Sequence, residues 1–155
     1  MKSISSKNLK GNILIPGDKS ISHRLVILSS IALGNSKIKG LLKSDDVMRT
    51  VEAMIGFGAS IKLLNPSSCL ITGVGLGGLA EPKTALDFGN SGTAARLIMG
   101  LSSSHPITTL YTGDSSLSMR PMQRVLKPLI NFGSSFSLRK DEFLPAILKG
   151  SVSPI

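Results

Sequence analysis

The chain has 155 residues, 41% of them hydrophobic and 17% charged, a composition that predicts one globular domain with a core of ordinary size. Its 18 Lys and Arg residues against 9 Asp and Glu residues give a net charge of +9, which favours an anionic partner. The basic residues are scattered along the chain and only 4% of the residues are aromatic, which argues against nucleic acid as that partner and favours small phosphorylated ligands. The apolar runs are too short for a signal peptide or a membrane span, so a cytoplasmic protein without a membrane partner is expected.

Short β-like runs alternate with amphipathic segments, and Gly, Pro and Ser separate them. In chain order, the first unit is predicted to contain a strand over residues 11–15, a helix over 20–33, a strand over 37–41, a helix over 45–57, and strands over 60–64 and 69–73. This series reads βαβαββ.

The same series is predicted a second time. Its elements are a strand over residues 85–88, a helix over 91–102, a strand over 108–111, a helix over 119–132, and strands over 135–138 and 145–148. Met119 and Met122 flank Arg120 in the second of these helices, and both methionines are expected to fill the core.

Residue identities support the duplication. GDKSISHRL at residues 17–25 aligns with GNSGTAARL at residues 89–97, and RTVEAMIGFGAS at residues 49–60 aligns with RVLKPLINFGSS at residues 124–135. Because the two units agree at both ends, an internal repeat is favoured over a chance similarity between two glycine-rich turns.

The segment PGDKSISHR at residues 16–24 predicts an anion site. It resembles the end of a P-loop, but Asp18 separates Gly17 from Lys19 and the upstream glycine is missing. A helix start offers free N–H groups and a favourable dipole, and Lys19, Ser20 and Arg24 add further donors. The alternative is an ordinary capped helix whose bases are solvated.

Other conspicuous residues are assigned structural roles. Cys69 opens an apolar run without a neighbouring ligand and predicts a buried cysteine. GVGLGG at residues 73–78 matches a dinucleotide-binding pattern, but Glu-Pro follows where a helix is required, so a turn between the units is expected. His23 and His105 lack partners at metal-binding spacing, which favours local packing or hydrogen bonding.

Four segments together resemble a known family: PGDKSISHR, SDDV at residues 44–47, LDFGNSGTAARLIMG at residues 86–100 and RPM at residues 120–122. In this order they are similar to the signature segments of 5-enolpyruvylshikimate-3-phosphate synthase, or 3-phosphoshikimate 1-carboxyvinyltransferase, and they span essentially the whole chain. The resemblance implies a transferase that moves the enolpyruvyl group of phosphoenolpyruvate to the 5-hydroxyl of shikimate 3-phosphate and releases phosphate. It implies the shikimate pathway of chorismate and aromatic amino acid biosynthesis, the target of glyphosate, and no cofactor or metal.

The resemblance also implies a set of site residues. These are Lys19, Ser20 and Arg24 for shikimate 3-phosphate; Lys19, Gly92 and Arg120 for phosphoenolpyruvate, with Lys19 as the catalytic residue; and Asn90, Thr93 and Asp45 as further candidates. Two helix starts and three cations suit substrates that each carry a phosphate and a carboxylate. Asp45 is expected either to orient Arg120 or a water, or to cap a helix.

The implied fold is an α/β chain of two consecutive βαβαββ repeats from an inside-out α/β barrel lobe of the enolpyruvyl-transferase type. Family members are much longer, with two lobes of three repeats each. Residues 1–14 are therefore expected to belong with the second lobe, and residues 15–155 to form an incomplete substrate-binding lobe with repeats at 15–80 and 81–150. The proton-transfer groups are expected in the missing parts, so the chain alone is predicted to be inactive.

Two alternatives stay open. One is a UDP-sugar enolpyruvyl transferase. That enzyme carries Lys-Asn where this chain has Lys19-Ser20, and it has a reactive cysteine in a loop near the second site, a position that Cys69 does not occupy. The other is a phosphate-ligand-binding fragment without catalysis. The family is usually monomeric, whereas an unpaired sheet edge would favour self-association of this short chain.

Overall fold

The computed structural model describes residue 8, residues 10–140 and residues 142–152. The first unit contains α1 (Lys19–Ile31), β1 (Leu33–Lys39), α2 (Asp45–Gly56), β2 (Ser60–Asn65) and β3 (Ser68–Val74). The second contains β4 (Leu86–Asp87), α3 (Gly92–Ser103), β5 (Thr108–Thr112), a 3₁₀ turn (Leu117–Met119), α4 (Gln123–Asn131), β6 (Ser135–Arg139) and β7 (Phe143–Lys149). The predicted α/β class is confirmed.

Each unit contributes its own sheet. The strand orders are β1-β3-β2 and β4-β5-β7-β6, and β3 and β7 pair antiparallel with both of their neighbours. Without β4, the second sheet has the order β5-β7-β6, which is the order of the first sheet in equivalent elements. The internal duplication predicted from residue identities is therefore present in the strand topology.

The strand predicted over residues 11–15 is absent, and this expectation was wrong. Residues 11–18 form irregular backbone, and Ile13 and Ile15 are 83% and 82% exposed. An apolar run becomes a strand only when another strand satisfies its N–H and C=O groups, and within the described part of the chain these residues have no such partner. The equivalent β4 does pair, in parallel with β5.

The helix predicted over residues 119–132 is divided in two by a proline. Pro121 disfavours helical backbone at the residue before it, and Arg120 accordingly has extended torsion angles of −93° and 126°. Arg120 therefore lies between the 3₁₀ turn and α4 rather than inside a helix. Met122 is fully buried as expected, but Met119 is 70% exposed, so its predicted core role was wrong.

One continuous core joins the two units. Helix α2 packs against α3, α1 packs against β3, and α3 packs against β7. The rings of Phe88 and Tyr111 stack with their centroids 5.5 Å apart. Cys69 is fully buried, as its apolar surroundings predicted. The starts of α1 and α3 are therefore supported by one rigid interior.

Candidate functional site

Four polar side chains are joined by hydrogen bonds next to the start of helix α3. Asn90 donates from Nδ2 to Asp114 Oδ2 over 2.8 Å, and its Oδ1 accepts a hydrogen bond from Arg120 Nη2 over 2.6 Å. The same Arg120 nitrogen lies 3.1 Å from Ser116 Oγ, to which it donates. The predicted site residues Asn90 and Arg120 are therefore in direct contact.

Asn90 can make these contacts because another residue caps the helix. Ser91 Oγ accepts a hydrogen bond from the Ala94 N–H over 3.3 Å. In the first unit the capping side chain is instead Asp18, which accepts from the Ile21 N–H over 2.7 Å. The aligned residues Asp18 and Asn90 thus have different roles, since only Asn90 lies outside the cap.

A cationic cleft of about 490 Å³, here called the arginine cleft, is lined by Arg96, Arg120, Pro121 and Arg124. Arg96 donates to the carbonyl oxygens of Gly92, over 3.2 Å, and Pro121, over 3.3 Å. Burial and the nearby charges of Arg120 and Arg124 lower the pKa of Arg96. Three like charges around one cleft repel one another, so a bound anion would stabilise the arrangement.

Gly92 is buried at the first position of α3, facing these arginines. A Cβ atom at Gly92 would lie 2.7 Å from Arg96 Nη1 and 3.3 Å from Arg120 Nη1. The glycine therefore lets two guanidinium groups approach the start of the helix. Thr93, the next residue, is exposed.

A second cleft of about 490 Å³, here called the mixed cleft, lies between the start of α2 and the turn that follows β4. Its lining residues are Asp45, Asp46, Met48, Arg49, Glu52, Gly89, Asn90 and Asp114. Lys19 Nζ reaches Asp46 Oδ2 at its edge over 2.7 Å. The mixed cleft thus brings the surroundings of Lys19 next to Asn90, which contacts Arg120 in the arginine cleft.

The remaining first-unit candidates lie on helix α1. Ser20 and Arg24 are exposed and four residues apart, which places them on one face of the helix. Neither lines the arginine cleft or the mixed cleft. The structure therefore brings Asp45 and Asn90 to the lining of one cleft, with Lys19 joined to its edge through Asp46, and leaves Ser20 and Arg24 outside that lining.

Asp45 is not the cap of its helix, so that alternative was wrong. Ser44 occupies the N-cap position of α2, and Asp45 and Asp46 both lie in the first turn. Carboxylates in a first turn stabilise a helix through its dipole, and Asp45 remains exposed at the mixed cleft.

His23 has the local hydrogen-bonding role that was expected. It is fully buried, with Nδ1 2.7 Å from Thr50 Oγ1 on α2. Its Nε2 makes no hydrogen bond to the residues that the structure describes. Burial lowers the pKa of His23; Asp46 acts in the opposite direction and Lys19 in the same direction. The ring therefore joins α1 to α2 through the Thr50 hydroxyl.

Sequence reasoning missed Arg96 and Asp114. A signal for Asp114 was available, because parallel strands end at the same edge of a sheet. Asp87 pairs with Thr112, so the turn after β4 and the turn after β5 meet. The Asp114 N–H donates to the Gly89 carbonyl over 2.8 Å across these turns. Arg96 aligns with Arg24 in the repeat, but nothing local predicted its contact with the Pro121 carbonyl.

Among the described residues, no group of three or more His, Cys, Asp or Glu side chains is placed to hold a metal ion. Within the same part of the chain, no helix has both the length and the apolar character that crossing a membrane requires.

Comparisons with known proteins agree on one family. Residues 4–153 match the family model described as EPSP synthase (3-phosphoshikimate 1-carboxyvinyltransferase). A Parvibaculum lavamentivorans protein named 3-phosphoshikimate 1-carboxyvinyltransferase is 50% identical over 143 residues, covering 92% of this chain and 32% of that protein. A Sphingopyxis alaskensis protein with the same name is 50% identical over 150 residues, covering 94% and 34%.

A solved structure is similar as well. EPSP synthase from Acinetobacter baumannii superposes with a TM-score of 0.86 at 38% identity, covering 90% of this chain and 32% of that one. The chain therefore spans about a third of the length of the relatives that it matches.

Proposed function

The chain belongs to the EPSP synthase family, and from that premise we propose that it forms part of an enzyme that transfers the enolpyruvyl group of phosphoenolpyruvate to the 5-hydroxyl of shikimate 3-phosphate and releases phosphate. The observation that carries the proposal is the arginine cleft at the start of α3. Both substrates are small anions with a phosphate and a carboxylate, which guanidinium groups and a helix start bind well. The proposal includes a cytoplasmic enzyme without a nucleic-acid partner.

Phosphoenolpyruvate is assigned to the side of Gly92 and Arg120. Arg120 is held through Nη2 by Asn90 and Ser116, while its Nη1 points towards Gly92. The Gly92 and Ala94 N–H groups already donate to the Asn90 carbonyl and to Ser91 Oγ, so the backbone donor proposed for an anion there is the Thr93 N–H. Asn90 and Thr93 border this position and are proposed as secondary contacts.

Shikimate 3-phosphate is assigned to Lys19, Ser20 and Arg24. Ser20 and Arg24 share a face of α1, and Lys19 lies one residue before Ser20 at the helix start. Lys19 currently pairs with Asp46, and the two side chains are 50% and 29% exposed. Such exposed pairs contribute between about 0 and 1 kcal/mol, so a substrate phosphate can compete for the ammonium group. We propose that Lys19 contacts both substrates.

We assign part of the chemistry to groups outside this chain. The methylene carbon of phosphoenolpyruvate must gain a proton as the 5-hydroxyl loses its own proton and adds to the neighbouring carbon. Phosphate then leaves that carbon as the new methyl group gives up a proton, which restores the vinyl ether. Asp45 at the mixed cleft is a candidate for orienting a water, but we assign the proton-transfer groups to the remaining two thirds of the enzyme. In this proposal residues 15–155 form an incomplete lobe that binds without turnover, and residues 1–14 belong elsewhere; residues 1–7 and 9 lie outside the described residues.

Calorimetric titration of the chain with shikimate 3-phosphate, alone and then with phosphoenolpyruvate, tests these assignments. A charge-assisted hydrogen bond is worth about 1.5–3 kcal/mol, so Arg24→Ala should lower the affinity for shikimate 3-phosphate at least about tenfold. Arg120→Ala should lower the affinity for phosphoenolpyruvate by a similar factor. Lys62→Ala on β2 removes a charge at an exposed position of the first sheet and should leave both affinities unchanged. Equal affinities in the wild type and Arg24→Ala would contradict the shikimate 3-phosphate assignment.

A phosphate-release assay tests the proposed lack of turnover. With both substrates present, the purified chain should release phosphate no faster than an enzyme-free control. Activity that survives repurification would show that the catalytic groups lie within these 155 residues. Addition of the missing part of the enzyme in trans is the only condition in which turnover is expected.

Gly92 leads to a further expectation for the complete enzyme. We propose that the complete enzyme is sensitive to glyphosate, a longer anion that competes with phosphoenolpyruvate. A methyl group at Gly92 should raise the glyphosate inhibition constant much more than the KM for phosphoenolpyruvate, because the longer ligand has less space to move. An equal rise in both constants would remove Gly92 from the discriminating contacts.

A further inference from the structure

Asp114 determines which way the Asn90 amide faces. An amide side chain has an accepting oxygen and a donating nitrogen, whereas an ionised carboxylate only accepts and a guanidinium only donates. Asp114 takes the amide nitrogen over 2.8 Å, so the amide oxygen must face Arg120, at 2.6 Å from Nη2. The hydrogen bond from Arg120 to Asn90 therefore depends on the Asp114 carboxylate, which binds the other end of the Asn90 amide.

Asn90 also keeps the negative charge away from Arg120. Two other cations at this site pair directly with carboxylates: Lys19 with Asp46 at 2.7 Å, and Arg49 with Asp87 at 3.0 Å. Arg120 is instead held by the neutral oxygens of Asn90 and Ser116. Its charge thus remains available to an anion while its geometry is held.

Asp114 is itself well anchored, although it is exposed. Its Oδ1 accepts from the Leu117 N–H over 2.7 Å, at the 3₁₀ turn that precedes Arg120. Its own N–H donates to the Gly89 carbonyl over 2.8 Å. The hydrogen bonds from Leu117 and Asn90 hold the pKa of Asp114 below its usual value, and Arg120 contributes least to this effect. The carboxylate is therefore ionised and fixed between the two turns that carry Asn90 and Arg120.

We propose that Asp114 is a positioning residue for the anion site at the start of α3: it directs the Asn90 amide oxygen to Arg120 and so aims a charged, unneutralised guanidinium group at phosphoenolpyruvate. This inference rests on the proposed role of Arg120. Asn90 is then a neutral spacer between Asp114 and Arg120. Asp114 acts through Asn90 and needs no contact with the substrate.

Substitutions at the two acceptor positions separate positioning from simple structural support. In Asp114→Asn, the new amide presents its nitrogen to Asn90, so Asn90 turns over and offers donors to Arg120, which cannot accept them. In the exchanged variant Asn90→Asp/Asp114→Asn, every hydrogen bond can form again, but a carboxylate now lies directly on Arg120. The exchanged variant should therefore recover stability without recovering anion affinity.

The experiment is a titration of the ¹⁵N-labelled 155-residue chain with phosphoenolpyruvate in excess shikimate 3-phosphate, followed at the Gly92 backbone amide, with urea unfolding of each variant. Asp114→Asn should weaken phosphoenolpyruvate roughly fivefold, as expected for one hydrogen bond. The exchanged variant should bind no better than Asp114→Asn although its urea midpoint returns to that of the wild type. Glu81→Gln is the matched control, because it removes one negative charge from a side chain that accepts from the Thr108 N–H and lines neither cleft. The affinity of this variant for phosphoenolpyruvate should equal that of the wild type.

The outcomes distinguish this inference from the proposed function. If Arg120→Ala weakens binding but Asp114→Asn does not, the positioning role is wrong and the proposed function stands. Affinity that returns together with stability in the exchanged variant shows a merely structural role and also overturns the inference. If the wild-type Gly92 amide does not respond, or if Arg120→Ala binds as the wild type does, the phosphoenolpyruvate assignment and the inference both fail.

Discussion

Gly92→Ala is expected to act through Arg96 rather than through the backbone of α3. The added Cβ would lie 2.7 Å from Arg96 Nη1, whereas ordinary contacts begin at 3.4 Å. Arg96 would have to retreat by about 0.7 Å, the difference between these distances. Its hydrogen bonds to the Gly92 and Pro121 carbonyls, at 3.2 and 3.3 Å, are already long and would be lost.

The expected cost follows from those two hydrogen bonds. Each is worth about 0.5–1.5 kcal/mol, and water can replace part of each because Arg96 is half-buried. Alanine is a better helix former than glycine by up to about 1 kcal/mol, although the gain is smaller in a first turn. We therefore expect Gly92→Ala to lower the free energy of unfolding by about 1 kcal/mol, and to cost nothing once Arg96 is alanine.

A double-mutant cycle of Gly92→Ala and Arg96→Ala, measured by urea unfolding, tests this reasoning. Gly100→Ala is the matched control in the same helix, because a Cβ there meets nothing within 4 Å; it should stabilise the chain by about 0.5–1 kcal/mol. If Gly92→Ala costs the same with and without the Arg96 guanidinium, the collision is with another group and the explanation is refuted.

Three further variants test the interior on which the site rests. Because the pKa of His23 is lowered from 6.5 in the folded chain, the unfolded chain binds a proton below pH 6.5 more readily than the folded chain does. The free energy of unfolding should therefore fall as the pH falls below 6.5, by at most about 1.4 kcal/mol per pH unit. In urea titrations, His23→Asn should flatten this slope. Tyr111→Phe removes the hydroxyl group that pairs with the buried Ser102 hydroxyl, and it should lower the free energy of unfolding by about 1–2 kcal/mol in the same assay. An unchanged urea midpoint would contradict this contact. Gly17→Ala would drive a Cβ into the Gly40 carbonyl, a collision between backbone groups, so it should cost more than about 3 kcal/mol, and a folded variant of normal stability would show that the two turns are not in contact.

The duplicated architecture was accessible from the sequence because its signals are local. Helical periodicity, turn residues and the repeated GDKSISHRL and GNSGTAARL segments lie within short windows of the chain. The same local signals identified the helix start that carries Lys19 and the burial of Cys69. Even the extended backbone of Arg120 follows from a neighbour, since proline restricts the residue before it.

The tertiary structure decided which of these local features meet. Asn90 and Arg120 are 30 residues apart, and Asn90 and Asp114 are 24 apart, so their contacts depend on the parallel pairing of β4 with β5. Residues 11–15 have the residue pattern of a strand but no partner among the described residues. Periodicity reports which face of an element is apolar, whereas side-chain contacts depend on the register between elements, and that register is set only when the core packs.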